Sequence, residues 1–260
     1  MAYNTLSDID WFEWNGVKCT EYGMHVLRQP SFVRAVERTE SITIPGKSGS
    51  ITRLEGEDIY DDISMACTCV IDDPYETVGE MQISRIEKIC GWLRGYGKVK
   101  FAYDPNGYYE ARVSNQISFD KIVAGHPHRS FLVQFQCKPF KRLESGDIAV
   151  TVSSSPYTLS NKGNIPSQPL LKVYGTSEGT IMCGRSTMIV TDFSNINYIM
   201  LECEAKKAYT GSRGLADDPL RLLGTRVTGE WMTIPTGNSF LTFSGGISKI
   251  EITPRWRCLG

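Results

Sequence analysis

The chain has 260 residues and a mass of 29.1 kDa, and 41% of its residues are hydrophobic, 10% aromatic and 22% charged. This length and composition indicate a folded protein with one large or two ordinary domains. The net charge is −1 and the sequence pI is about 6.3. Acidic and basic residues are balanced in both halves of the chain, which excludes the basic footprint of a protein that binds nucleic acid or an anionic membrane.

Two further classes of protein are disfavoured by the sequence. No apolar run reaches the roughly 18 to 20 residues of a membrane-spanning helix. The amino terminus carries Asp8 and Asp10 and has no basic region ahead of an apolar one, so it does not resemble a signal peptide. We therefore expect the protein to be made and kept in a cytosol.

The elements of the first half begin with a hairpin. Ser41 to Ile51 is predicted to form two short strands around a Pro45-Gly46 turn, with glycines where a positive φ is needed. Met65 to Ile71 follows as a strand. Within it, Cys67 and Cys69 are predicted to lie on one face, because side chains two residues apart in a strand point the same way.

One helix is predicted in this half. Thr77 and Glu80 resemble a capping box at its start, and Gly95 is a stop signal at its end. Between them, apolar residues recur at helical spacing: Ile83, Ile86, Ile89, Cys90 and Leu93.

After the helix the pattern returns to strands. Lys98 to Tyr103 is rich in β-forming residues, and Asn106-Gly107 is predicted to be the turn of a hairpin because Asn-Gly favours a two-residue loop. Tyr109 to Val113 and Phe131 to Cys137 complete the predicted sheet. The first half is therefore predicted to be β-rich with a single helix packed on the sheet.

From about residue 143 the helix signal disappears and short strands recur at intervals of about ten residues, as in an antiparallel β-sandwich or jelly roll. The predicted strands are Ile148 to Val152, Leu170 to Tyr174, Thr180 to Met182, Met188 to Val190, Tyr198 to Cys203, Trp231 to Ile234, Phe240 to Phe243 and Ile247 to Ile252. The fold class is thus mainly β, with domains at residues 1–142 and 143–260.

Few residues of this sequence are candidates for catalysis or metal binding. His126 and His128 flank a proline in a predicted surface loop, and as metal ligands they would need partners from elsewhere in the chain. His25 alternates with apolar neighbours and is predicted to lie on the polar face of a strand. Neither a nucleotide-binding glycine loop nor a protease or hydrolase signature is present. We predict no catalytic residue, no metal ligand and no cofactor-binding residue, and therefore no enzyme.

The acidic stretch and the cysteines each leave an alternative open. Residues 55–62 contain five carboxylates, but not at the spacing of an EF-hand loop, so a solvated surface is predicted and an ion or interface role is the alternative. Two CxxC-like pairs, as in a zinc site, are absent, so buried free thiols are predicted, with a metal or redox site as the alternative. The cysteines are Cys19, Cys67, Cys69, Cys90, Cys137, Cys183, Cys203 and Cys258.

Several separated stretches resemble the distal tail protein (Dit) family of long-tailed, siphophage-type bacteriophages. Each is short, and their order and spacing over nearly the whole chain make the resemblance specific. They are Phe12 to Val17, Ile44 to Ile51, Ile89 to Leu93 with Val99 to Phe101 and Tyr103 to Pro105, Lys138 to Phe140, Asn161 to Gly175, and Pro235 to Asn238 with Phe240 to Gly245.

The resemblance implies a structural protein of the virion tail tip, assembled in the cytoplasm of the host bacterium. Residues 1–142 would form a hexameric ring between the tail tube protein and the tail-associated hub protein. Residues 143–260 would be a galectin-like β-sandwich to which receptor-binding or side-fibre proteins attach. No contact with nucleic acid or membrane is required.

The alternative function is recognition of a cell-surface glycan by the second domain. The galectin sugar site resembles a His-x-Asn-x-Arg strand, and no histidine follows Leu143, so that site is not present. Trp231, after Glu230, is the one candidate for stacking on a sugar, although a tryptophan in a sandwich is more often a core residue. We predict the structural role and keep glycan binding as the alternative.

Overall fold

The computed structural model describes residues 9–54, 56, 59–71, 80–119, 130–211 and 220–260, with helix side chains described from Ile83 onward. The chain divides into two compact units. Unit 1 comprises residues 1–141 together with 259–260, and unit 2 comprises residues 142–258. Both are built almost entirely of antiparallel strands, so the predicted β-rich fold class is confirmed.

The strands up to the unit boundary, with the helix between them, form the framework of unit 1. They are β1 (Phe12–Trp14), β2 (Val17–Lys18), β3 (Met24–Arg28), β4 (Thr39–Thr43), β5 (Ser50–Leu54), β6 (Ile63–Ile71), α1 (Glu80–Trp92), β7 (Tyr96–Phe101), β8 (Asp104–Val113), β9 (Ser130–Cys137) and β10 (Phe140–Leu143). The main sheet has the order β2-β1-β7-β8-β9-β6-β3, and β10 pairs with β8. Among the described strands, β4 and β5 pair only with each other.

Along the strands of the main sheet, successive side chains lie on opposite faces, and one of these faces is buried. In β9, Phe131, Val133 and Phe135 are buried, whereas Leu132 is exposed. Cys67 and Cys69 in β6 are both fully buried, which confirms that their thiols share one face. The buried residues at alternate strand positions form the core of unit 1.

The predicted helix is confirmed, and it packs through its carboxyl-terminal half. Ile89 and Leu93 are buried, and the Leu93 amide donates a hydrogen bond to the Ile89 carbonyl at 2.9 Å. The Trp92 ring stacks on Phe12 with centroids 5.7 Å apart. Gly95 has a φ of 82°, the left-handed conformation expected just after a helix. The predicted cap at Thr77 lies outside the described residues.

The predicted turn at Asn106-Gly107 was wrong. Strands β7 and β8 do form a hairpin, but Phe101 pairs with Asp104, so the turn is at residues 102–103 and Gly107 lies inside β8. A Cβ added at Gly107 would come within 2.8 Å of the Lys141 side chain. The neighbouring atoms belong to a flexible side chain, and Gly107 is not part of the turn.

Unit 2 contains strands that surround a second core. They are β11 (Val150–Val152), β12 (Tyr157–Asn161), β13 (Leu170–Cys183), β14 (Ser186–Val190), β15 (Ile199–Glu202), β16 (Lys207–Thr210), β17 (Arg221–Leu222), β18 (Val227–Gly229) and β19 (Gly237–Thr253). Their order is β11-β19-β13-β15-β16-β17, with β12 on β19, β14 on β13 and β18 on β14. The last strand is β20 (Arg257–Leu259).

Two pairs of predicted strands are each a single long strand. β13 runs through Gly175 and Gly179, and β19 runs through Gly245, although the residues on either side were predicted to form separate strands. The β13–β19 register shifts at Gly175, and Gly179 pairs with Gly245. Both strands therefore bend together and continue in the same direction, without a turn between two shorter strands. The shared bend lets one sheet fold around the core.

The predicted strand from Trp231 to Ile234 was also wrong. Only Ile234 pairs there, through an isolated bridge to Ser167 that has hydrogen bonds of 2.8 and 3.0 Å in both directions. Gly229, with a φ of 95°, ends β18 just before this segment. The segment is apolar because Met232 and Ile234 fill the core from an irregular stretch of chain.

Candidate assembly surface

The one histidine that the structure describes, His25, contacts a carboxylate. His25 lies on the more polar face of β3, as predicted, and its Nδ1 is 2.7 Å from Asp10 Oδ2. The Val26 amide also donates a hydrogen bond to the Asp10 carbonyl at 2.6 Å. Asp10 thus connects the segment before β1 to the outer edge of β3. Its contact with His25 is part of the same connection. His126 and His128 lie outside the described residues.

The acidic stretch is described only in part, because Glu55, Glu57 and Asp58 lie outside the described residues. Asp61 Oδ1 is 2.8 Å from Arg38 Nε, and Asp62 Oδ1 is 3.4 Å from Lys138 Nζ. Exposed pairs of this kind contribute at most about 1 kcal/mol. In the part of the chain that is described, no three His, Cys, Asp or Glu side chains come together as a metal site would require.

All eight cysteines are free thiols. The prediction that they are buried holds for six and was wrong for Cys90, which lies on the exposed side of α1, and Cys258 is half-buried. Burial raises the pKa of the Cys19 thiol to about 11 and that of the Cys203 thiol to about 12. Burial also raises the pKa of Cys67 well above its ordinary value. Burial thus favours the protonated form of these three thiols.

The hairpin of β4 and β5 is confirmed and is the most exposed element of unit 1. Its register runs without interruption from the Thr39–Leu54 pair to the Thr43–Ser50 pair. All ten strand residues are exposed. Gly46 has a φ of 81° in the connecting turn, so Pro45-Gly46 shapes the turn as predicted. We call residues 39–54 the hairpin arm.

The hairpin arm has two chemically different faces. On one face Ile42 pairs with Ile51 and Glu40 pairs with Arg53. The other face consists mainly of hydroxyl side chains, and Ser41 Oγ donates to Ser50 Oγ at 3.2 Å. Ile42 is 43% exposed and Ile51 is 46% exposed. A cross-strand isoleucine pair facing water on a two-stranded sheet is a surface that lacks its packing partner.

Exposed apolar side chains concentrate around the hairpin arm. Among the described residues, nearly half of the large hydrophobic side chains that are exposed fall in one stretch of the chain: Leu27, Phe32, Val36, Ile42, Ile44, Ile51, Leu54 and Ile59. Single exposed apolar residues are normal, so the Ile42–Ile51 pair, whose members are adjacent across the two strands, is the stronger sign of a contact surface.

A polar cluster covers part of unit 2 and had no signal in the sequence pattern. Lys249 Nζ lies 4.1 Å from the centre of the Tyr174 ring and 2.8 Å from Glu251 Oε1. Lys172 Nζ lies 4.3 Å from the centre of the Tyr198 ring. The hydrogen bond with Glu251 raises the pKa of Lys249, and the same bond lowers the pKa of the Glu251 carboxyl. The ammonium groups lie over the two rings, and the Glu251 carboxylate pairs with one of them, which indicates a structural cluster.

Trp231, the one candidate glycan contact, is half-buried and packs against the core of unit 2. The neighbouring Glu230 amide donates to the Thr187 carbonyl at 2.8 Å, and the Met232 amide lies 3.3 Å from Met188 Sδ. The backbone on both sides of Trp231 is therefore bonded to β14, and part of the Trp231 ring packs against the core.

Comparison with known proteins shows the fold to be that of a phage tail component. The solved structure of SPP1 Dit (gp 19.1), described as a hub of the adsorption apparatus in phages that infect Gram-positive bacteria, matches 94% of this chain and 98% of its own, with a TM-score of 0.66 and 15% identity. A chain of the phage P2 baseplate in its activated conformation with Ca matches 94% of this chain and 97% of its own, with a TM-score of 0.50 and 7% identity. No family model matches the chain, and no curated protein matches it in sequence.

The resemblance to Dit proteins drawn from short sequence stretches is therefore matched at the level of the fold. The apolar face of the hairpin arm was missed, although its signal was present in the sequence. Ile42, Ile44 and Ile51 lie at alternate positions on either side of the turn, which predicts one apolar face. Sequence alone did not show that this face would remain uncovered.

Proposed function

We propose that this chain is a distal tail protein, a non-enzymatic structural component of a phage tail tip. The observation that carries the proposal is the likeness of fold to SPP1 Dit, which extends through both units and covers nearly all of both chains. A hub is an assembly protein, so its surfaces rather than a cleft perform its function.

In this proposal, unit 1 forms a hexameric ring, because closed rotational symmetry repeats one heterologous contact until it meets itself. The exposed apolar side chains between Leu27 and Ile59 support the placing of that contact on unit 1. The ring joins the tail tube protein to the tail-associated hub protein.

Unit 2, a galectin-like sandwich in this proposal, projects from the ring and anchors receptor-binding or side-fibre proteins. Assembly takes place in the cytoplasm of the host bacterium. Among the described residues, no helix is both long and apolar enough to cross a bilayer. Neither nucleic acid nor membrane has a part in the proposed role.

Glycan recognition through Trp231 receives less support. A sugar stacks on an open aromatic face, and Trp231 is partly packed against the core. A glycan array probed with the native chain and with Trp231→Ala separates the two functions. The structural role predicts no signal from either protein, whereas a signal that Trp231→Ala abolishes would favour the glycan function.

Labelling of phage particles tests the proposed location. Gold-labelled antibodies raised against the chain are applied to intact particles of the phage that encodes it, with antibody pre-absorbed on the purified chain as the control. We expect label at the end of the tail distal to the head. Label along the whole tail or on the head would contradict the proposal.

A further inference from the structure

One face of the unit 2 sheet lies outside the core of that unit. In β13, Leu171 is fully buried, whereas Lys172 and Tyr174 are only half-buried. Directly paired residues of antiparallel strands lie on the same face, so the strand register extends this pattern across the sheet. Lys172 pairs with Met200 of β15, and Met200 pairs with Tyr209 of β16. These three side chains therefore form a row on the outer face of three neighbouring strands.

The outer face has the composition of a protein interface. We call it the tyrosine face, and its six half-buried side chains are Lys172, Tyr174, Tyr198, Met200, Tyr209 and Lys249. Tyrosine and methionine are enriched in the centres of protein–protein interfaces relative to the rest of the surface. Leu222 of β17 pairs with Tyr209, extends the tyrosine face to the edge of the sheet and is 76% exposed.

The two lysines of the tyrosine face favour a protein over a sugar as its occupant. Lys249 Nζ lies 4.1 Å from the centre of the Tyr174 ring, and Lys172 Nζ lies 4.3 Å from the centre of the Tyr198 ring. An ammonium group on a ring face competes with the stacking contact that a sugar makes there. The face also spans five strands, from β19 to β17, which is about 19 Å at the usual strand spacing. A surface of this width suits a segment of another protein.

The tyrosine face carries one more ammonium group than its carboxylate can pair with. Glu251 Oε1 is 2.8 Å from Lys249 Nζ. Lys172 lies opposite Glu251 in the register, yet it forms no ion pair with any carboxylate in the part of the chain that the structure describes. On the same face, Glu202 Oε1 is 3.4 Å from Arg255 Nη1. The charge at Lys172 is therefore complementary to a partner that brings a carboxylate of its own.

Lys172 is also positioned before any partner binds. Its Nζ lies 4.3 Å from the centre of the Tyr198 ring and 5.3 Å from the centre of the Tyr174 ring. A lysine that is already held between two rings loses less conformational freedom on binding than a lysine that extends freely into water. The two tyrosines thus prepare the ammonium group of Lys172 for an ion pair.

We propose that the tyrosine face is a docking surface for another tail protein, and that an aspartate or glutamate side chain of this partner pairs with Lys172. The inference rests on the proposed anchoring role of unit 2, and it adds to that role the surface and the chemistry of the contact. Met200, Tyr209 and Leu222 supply apolar contact area beside the ion pair. Exclusion of water by this area strengthens the pair.

Cross-linking of intact phage particles tests the contact at Lys172 directly. A water-soluble carbodiimide joins a lysine amine to a carboxylate that it contacts, with loss of one water molecule. Mass spectrometry of the digested particles then identifies both linked residues. The purified chain, treated in the same way, is the control sample, and the Lys249–Glu251 pair should become linked in both samples because its atoms are 2.8 Å apart.

We expect Lys172 in the particles to be linked to an aspartate or glutamate of another tail protein. If Lys172 gives no such link although the Lys249–Glu251 link forms, or if it is linked only to a second copy of this chain, the docking inference fails and the proposed location stands. Absence of the chain from the particles would overturn the proposed function itself.

Variants of Lys172 measure its contribution to binding of the protein that the cross-link identifies. Lys172→Met keeps the apolar stem and removes the charge, whereas Lys172→Arg keeps the charge. The control is Lys162→Met, which removes the charge of an exposed lysine that follows β12, outside the tyrosine face. Titration calorimetry gives the Kd of each chain, and circular dichroism verifies its fold.

We expect Lys172→Met to raise the Kd by about ten-fold or more, because it leaves the partner's carboxylate unpaired. Lys172→Arg and the control should stay within about three-fold of the native chain. A folded Lys172→Met chain that binds the partner as tightly as the native chain does would show that Lys172 is not the contact.

Discussion

At the scale of single residues, some glycines lie where the neighbouring backbone leaves no room for a side chain. Gly229 has a φ of 95°, and a Cβ there would lie 2.3 Å from the Thr187 carbonyl oxygen. Gly224 has neither restriction, because a Cβ at that residue would have nothing within 4 Å. Two nearby glycines in unit 2 therefore make a matched pair for mutation.

We expect Gly229→Ala to lower the free energy of unfolding by about 3 kcal/mol, because both the backbone conformation and the β14 carbonyl must give way. Gly224→Ala should change it by less than about 0.5 kcal/mol. Urea unfolding followed by tryptophan fluorescence measures both. Equal stability of the two variants would show that β18 does not approach β14 as described.

The buried thiols predict a loss of stability at alkaline pH. Burial raises the pKa values of Cys19 and Cys203 from 9.0 to about 11 and about 12. Their stabilising effect is complete below the pKa of the unfolded chain and is lost as the pH rises through 9 toward the folded values. Each thiol then costs up to about 1.4 kcal/mol per pH unit.

We therefore expect the melting temperature to fall between pH 8 and pH 10, and Cys203→Ala to reduce the slope of that fall. The exposed Cys90 supplies the control, because Cys90→Ala should leave the slope unchanged. Calorimetry at half-unit steps of pH measures the effect. A melting temperature that stays constant over this range would contradict the burial of these thiols.

At the scale of elements, only some of the apolar residues that recur along α1 are buried. Ile89 is fully buried, whereas Ile83, on the same helix, is 58% exposed. Ile89→Ala should lower the free energy of unfolding by about 3 kcal/mol, because it leaves a cavity against the sheet. Ile83→Ala should cost about 0.5 kcal/mol or less. Thermal unfolding compares them, and a similar loss for both would mean that all of these apolar residues pack.

The sequence predicted elements that depend on local signals. Helical spacing with a glycine stop located α1, and Pro45-Gly46 located the turn of the hairpin arm. Prediction failed where glycines serve packing between strands. Gly107 and Gly179 have the pattern of turn residues, yet both lie inside strands, and a Cβ at Gly179 would come within 2.7 Å of the Ser244 carbonyl oxygen. Such neighbours are distant in the chain, so no local pattern shows them.

The candidate assembly surface was predictable only in part for the same reason. Alternation predicts an apolar face formed by Ile42 and Ile51, but whether a face is covered depends on the rest of the fold. In β6, similar alternation leads to complete burial of Met65 and Cys67 in the core of unit 1. The structure distinguishes the two cases, because no third strand among the described residues joins β4 and β5.

At the scale of the whole molecule, two β-rich units share one chain and differ in exposed surface. Unit 1 carries the hairpin arm with its exposed Ile42–Ile51 pair, which suits contact with another molecule. In the Tyr174 cluster of unit 2, the polar groups pair with one another. This division supports a molecule in which one unit assembles and the other is displayed, as proposed for a tail hub.

Electron microscopy of the purified chain, with native mass spectrometry of the same sample, tests most directly whether unit 1 forms a closed ring of six copies. We predict class averages with six-fold symmetry, a central hole and peripheral lobes, and a mass of six chains. A sample containing only single chains of 29.1 kDa, or dimers or open filaments, would contradict the ring.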